Sequence, residues 1–115
     1  MLGKRDKKKF HDIGRTREAA DFFAGELERL MALPLSTKSD VKHWYAERSK
    51  TEKTLKERFP KFEFWHEVWH FLLDPDIRAR DTGYRDHQHG LMRGYVEYLR
   101  NEPPNASYEG SDVKR

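Results

Sequence analysis

The chain contains no cysteine, which excludes disulfides, thiol catalysis and thiolate-held zinc or iron–sulfur centres. β-Branched residues are scarce, with two Ile, four Val and five Thr among 115 residues, so a sheet-based fold is not expected. Long apolar runs are missing too. The longest uncharged stretch near the candidate core is Val68-Trp69-His70-Phe71-Leu72-Leu73, far too short to span a bilayer. The basic start lacks the apolar stretch of a secretion signal, so the expected location is cytoplasmic. Nor is there a Gly-rich phosphate loop, a Ser-His-Asp order or a dinucleotide-binding pattern.

What the sequence has in abundance is charge. Charged residues make up 37% of the chain, against about 25% in an average domain. The 23 Lys and Arg nearly cancel the 20 Asp and Glu, and seven Phe, five Tyr and three Trp accompany them. That cancellation and that aromatic content argue against a wholly disordered chain. The formal charge of +3 is unevenly placed: Lys4, Arg5, Lys7, Lys8 and Lys9 against Asp6 give residues 1–9 a net +4, which leaves −1 for residues 10–115. The high pI therefore reports a basic tail and not a basic domain. Residues 4–9, with Arg15 and Arg17 nearby, are a candidate nucleic-acid contact acting through phosphates. The run contains no aromatic for base stacking, and a solvated terminus is its ordinary use.

Glycine and proline divide the chain into a basic flexible tail (1–13), a helical domain (14–101) and an irregular tail (102–115) that opens on Glu102-Pro103-Pro104. The expected fold is all-α, a small bundle of about four helices. A first helix is expected from Arg17 to Leu33, capped by Thr16 and stopped by Pro34, with Ala19, Ala20, Phe23, Ala24, Leu27, Leu30 and Met31 on one face. A second is expected from Asp40 to Phe59. Its apolar stripe is thin, and Arg48 and Glu52 lie in it one turn apart, as an anion site beside Trp44 or as an ion pair covering the core edge. A third is expected from Lys61 to Leu73, apolar over most of its surface. A short turn follows Asp74-Pro75, Thr82-Gly83 interrupts it, and a last helix runs from Tyr84 to Arg100. Gly90 and Gly94 there are spaced for close approach by a neighbour. Asp86 and Glu97 make that helix a poor reader of DNA.

One short motif carries chemistry. Residues 66–70 read His66-Glu67-Val68-Trp69-His70. On a helix the two imidazoles stand one turn apart on one face and can converge on a zinc ion, with Glu67 beside the metal-bound water. The pattern resembles the zinc site of zincin metallopeptidases, which implies His66 and His70 as ligands and Glu67 as catalytic base. The match spans five residues. The glycine and third His with which metzincins continue are replaced by Leu73 and Asp76. A third ligand has to come from Glu63, Asp86, His87 or His89. Glu63 and His66 also have the Glu-x-x-His spacing used in helix-bundle metal sites.

Residues 74–89 form a second polar cluster, in which Arg78, Arg80 and Arg85 are candidates to hold a phosphate or carboxylate. The leading functional expectation is a small cytoplasmic helical module that binds another macromolecule, a protein partner or a second copy. The alternative is a zinc-binding protein or hydrolase built on His66, Glu67 and His70.

Overall fold

The computed structural model describes residues 16–102 and, beyond them, the backbone of two short strands. Five helices form the body: α1 (Arg17–Ala32), α2 (Lys38–Arg58), α3 (Glu67–Leu73), α4 (Pro75–Arg80) and α5 (Thr82–Asn101). The strands β1 (Lys9–Phe10) and β2 (Tyr108–Glu109) pair antiparallel, Lys9 opposite Glu109 and Phe10 opposite Tyr108. The rest of the two expected tails, residues 4–8 of the basic run included, lies outside the described residues.

Helix α1 follows its sequence pattern closely. Thr16 caps it, its hydroxyl accepting from the Ala19 N–H at 3.0 Å. Ala19, Ala20, Phe23, Ala24, Leu27 and Leu30 are all fully buried. Three alanines on that face let α5 approach closely, and α1 and α5 form the principal helix pair of the bundle. Arg17 seals the far end of this pair, donating to the carbonyls of Leu99 and, at 3.0 Å, Arg100. Its charge sits where the negative end of the α5 dipole favours a cation, so Arg17 serves the fold.

Helix α2 starts at Lys38, two residues before the expected Asp40. The reason is a capping box. The Asp40 N–H donates to the Thr37 hydroxyl at 3.0 Å, and the Asp40 carboxylate accepts the N–H groups of Thr37 and Ser36 at 3.2 and 2.9 Å. Asp40 is thus the third helical residue and not the cap. Trp44 packs fully buried against α1, its indole N–H donating to the Leu30 carbonyl at 2.9 Å. A polar belt completes the α1–α2 interface: Arg29 bridges Glu26 and Glu47 at 2.9 and 2.6 Å, and the buried Thr51 hydroxyl donates to Glu26 at 2.5 Å. Hydrogen bonds from Lys50 and Arg29 hold the Glu47 carboxyl down at about 2.

The third helix is half the expected length. It begins at Glu67, and residues 61–66 are not helical. Phe62 and Phe64 both meet the Phe23 ring, at centroid distances of 5.6 and 5.0 Å. Residues two apart point about 200° from each other on a helix but to the same side of an extended chain. Only the extended form brings both rings to Phe23.

Helix α4 starts at Pro75 directly after Asp74, as expected, but the Asp74 side chain does not cap it; its carboxylate accepts from the Tyr84 hydroxyl at 2.6 Å. One further boundary differs from expectation. Thr82 and Gly83 do not interrupt a helix but open α5, because Asp81 caps it by accepting the Tyr84 N–H at 3.0 Å. Gly90 is exposed, and a Cβ built there meets nothing within 4 Å. No neighbouring helix uses its small size. No helix of the described residues is long and apolar enough to cross a membrane.

Candidate functional site

The histidine motif sits at the start of α3, partly outside it. His66 is the residue before the helix, Glu67 its first residue, and His70 lies one turn on. The His66 side chain is 62% exposed, with Nε2 at 3.2 Å from the Glu67 carboxylate. His70 is exposed as well. Glu63 falls in the extended segment, so the Glu63–His66 pair does not share a helix face. Asp86 and His87 are exposed on α5, and His89 is half-buried there with its ring 6.2 Å from that of Phe71. Among the described residues no three His, Asp or Glu side chains gather where they could hold a metal ion.

Arg78, Arg80 and Arg85 do not form one surface. Arg80 is exposed at the end of α4, and Arg85 is half-buried on α5 and lies 3.4 Å from Asp86. Arg78 is 1% exposed. Its guanidinium lies 4.2 Å from the Phe71 ring centroid and 4.8 Å from that of Trp44. Nη1 donates to the Phe71 carbonyl and to Gln88 Oε1, both at 2.6 Å, while Nε and Nη2 are buried with no hydrogen-bond partner among the described residues. Burial pulls its pKa down to about 10, which still leaves it a cation at neutral pH. The charge is used at the end of α3. The last carbonyls of that helix, Phe71, Leu72 and Leu73, accept from Arg78, from Arg48 at 3.0 Å and from the Tyr45 hydroxyl at 3.3 Å. Two cations thus satisfy orphan acceptors at the negative end of a helix dipole. Arg48 also stands 3.6 Å from Glu52, the ion pair at the core edge.

A hydrogen-bonded chain runs on from Arg78. Gln88, 4% exposed, accepts from Arg78 and donates to the Tyr84 hydroxyl at 3.0 Å, and Tyr84 donates to Asp74. The bond to Asp74 and partial burial push the Tyr84 pKa up to about 12. His89 lies beside this chain. Burial, then the charges of Arg78, Arg93 and Arg85, bring its pKa from 6.5 down to about 4. Between these values the unfolded chain binds a proton that the folded chain does not, so stability falls as pH falls through that window. The expected contribution is about 2 kcal/mol, less than the full shift gives because water still reaches the ring. Thermal denaturation at pH 7 and pH 4.5 checks it: the wild type loses more stability than His89→Asn between the two.

The apolar surface gathers elsewhere. Trp44 and Trp65 are buried, whereas Trp69 and Leu73, one turn apart on the outer face of α3, are 48% and 55% exposed. They are the exposed large hydrophobics of the described residues. Trp69 is not loose. Its ring lies 4.9 Å from that of Phe64, which stacks on the fully buried Phe23 at 5.0 Å. An aromatic column therefore runs from the core of α1 to the surface of α3. Beside it opens a groove of about 490 Å³, floored by Leu55, Phe59, Phe62 and Phe64, walled by Trp69 and rimmed by Glu52, Lys53 and Lys56. In the sequence these aromatics read as the core stripe of one long helix. The short alternation Phe62-Glu63-Phe64 is the one sequence feature compatible with an extended segment there, and three residues are too few to outweigh the helical period. No protein-family model, curated protein or solved structure matches the chain.

Proposed function

We propose that this chain is a small helical binding module that takes a segment of a protein partner on the face formed by Phe59, Phe62, Phe64, Trp69 and Leu73. The observation that carries this reading is Trp69. Leaving a large aromatic in contact with water costs free energy, yet this one is half exposed and held in place by an aromatic column rooted in the core. Rigid, partly exposed aromatics beside a groove are what binding hot spots are made of. On the rim Glu52 is met by Arg48 at 3.6 Å, which leaves the lysines to set the occupant's charge. Lys56 has no ion pair among the described residues, and Lys53 reaches Glu57 only at 4.0 Å. An apolar anchor with an acidic flank fits both.

Selection of peptides from a displayed random library on the folded protein tests this. The expected winners share a large apolar residue flanked by Asp or Glu. Their affinity is expected to fall about tenfold or more on Trp69→Ala, the loss of one hot spot, and to weaken with salt or on Lys53→Glu with Lys56→Glu. Trp69→Ala is expected to keep the fold. Peptides without a consensus, or with undiminished affinity for Trp69→Ala, contradict the reading. Concentration-dependent self-association that Trp69→Ala abolishes assigns the face to a second copy instead.

A further inference from the structure

A second concavity lies on another side of the molecule, between the loop joining α1 to α2 and the outer face of α5. It measures about 430 Å³, within the range of small-molecule sites. The loop wall is Leu33, Pro34, Leu35 and Ser36, with Trp44 behind it. The helix wall is Arg85, His89 and Arg93. These are spaced i, i+4 and i+8 and so form a single row, each arginine starting about 6 Å along the axis from His89.

The row is electropositive. Arg93 is exposed and has no hydrogen-bond or ion-pair partner among the described residues. Arg85 is met by Asp86 at 3.4 Å, a carboxylate that is 74% exposed and lies at the same wall. Arg78 adds a buried positive charge from beneath, with two nitrogens unpartnered. With burial, the charges of all three arginines keep His89 neutral at pH 7, and Asp86 opposes them. A neutral imidazole keeps one N–H to donate. An anion above His89 is within reach of guanidinium groups from both sides, and guanidinium matches phosphate geometry. The opposite wall is Leu33, Pro34 and Leu35, with the polar Ser36 at its end.

From this arrangement we infer a binding site for a small organic phosphate, with its phosphate above His89 between Arg85 and Arg93 and its carbon body against Leu33, Pro34 and Leu35. The site is separate from the aromatic groove and does not depend on it. It also revises the expected anion cluster. Arg85 stays, Arg93 takes the place of Arg80, and Arg78 acts from within the core.

Phenyl phosphate is a suitable probe, with inorganic phosphate and phenol as its two halves, followed by amide and imidazole resonances of the labelled full chain. Saturable shifts are expected at Ser36, His89 and Arg93. Arg93→Gln and Arg85→Gln are each expected to weaken binding about fivefold or more, and either half of the probe to bind about tenfold more weakly than the whole. Arg93 has no hydrogen-bond or ion-pair partner among the described residues, so Arg93→Gln is expected to keep the thermal midpoint; should Arg85→Gln unfold the chain, Arg93→Gln decides alone. Four results overturn the inference: shifts confined to the Trp69 face, affinity unchanged in Arg93→Gln, phenol binding as tightly as phenyl phosphate, or inorganic phosphate doing so.

Discussion

Arg78→Ala is expected to destabilise the fold by about 3–5 kcal/mol, the range for removing a partner from a buried charged network. Three losses combine. The Phe71 carbonyl and Gln88 Oε1 each lose a donor at 2.6 Å while remaining buried. The space beside the Trp44 and Phe71 rings, now filled by a planar group 4.8 and 4.2 Å from their centroids, becomes a cavity. The end of α3 loses one of two cations. Arg78→Met separates these causes. It refills the space with an unbranched side chain but leaves both acceptors unpaired, so its cost is expected to be about 1–3 kcal/mol. Urea denaturation of the three proteins measures both. An Arg78→Ala cost below about 1 kcal/mol is that of a surface substitution and contradicts the packing described.

Phe23→Ala is expected to cost a similar amount, about 3–5 kcal/mol for a fully buried aromatic. Domains of this size are stable by about 5–15 kcal/mol in total, so the variant stands near the edge of folding. Its consequence reaches beyond stability. Phe62 and Phe64 both rest on the Phe23 ring, and Trp69 rests on Phe64. Removing the base of the column frees the non-helical segment 61–66 and the groove it floors. Where Phe23→Ala remains folded at low temperature, it is expected to bind groove peptides more weakly although it touches none of them. Denaturant titration and peptide binding, measured side by side, check the two effects. Preserved stability, or preserved affinity in a folded Phe23→Ala, runs against the column.

The parts of the fold that the sequence showed are those governed by local rules. Thr16, Pro34 and the alanine-rich face of α1 carry their own caps and period, and the structure follows them. The all-α class followed from the shortage of β-branched residues together with helical periodicity. The parts that stayed hidden depend on contacts distant in sequence. The apolar residues of 62–73 fit a long helix as far as periodicity goes, and only the shared contact of Phe62 and Phe64 with Phe23 makes the segment extended. Arg78 looked like a surface arginine because its partners, Trp44, the Phe71 carbonyl and Gln88, are assembled by three different helices. Trp69 read as core for the same reason. Period alone gives a stripe its direction but not the neighbour that covers it, and no element of the described residues covers the outer face of α3.

We propose this uncovered face as a docking surface. Resonance mapping of a selected peptide on the full chain tests it most directly. The predicted result is a contiguous set of shifts at Leu55, Phe59, Phe62, Phe64, Trp69 and Leu73, with the Trp69 indole N–H among the largest, and none at His89 or Ser36. Shifts centred on α1, α5 or the loop after α1, with the Trp69 indole unmoved, contradict it.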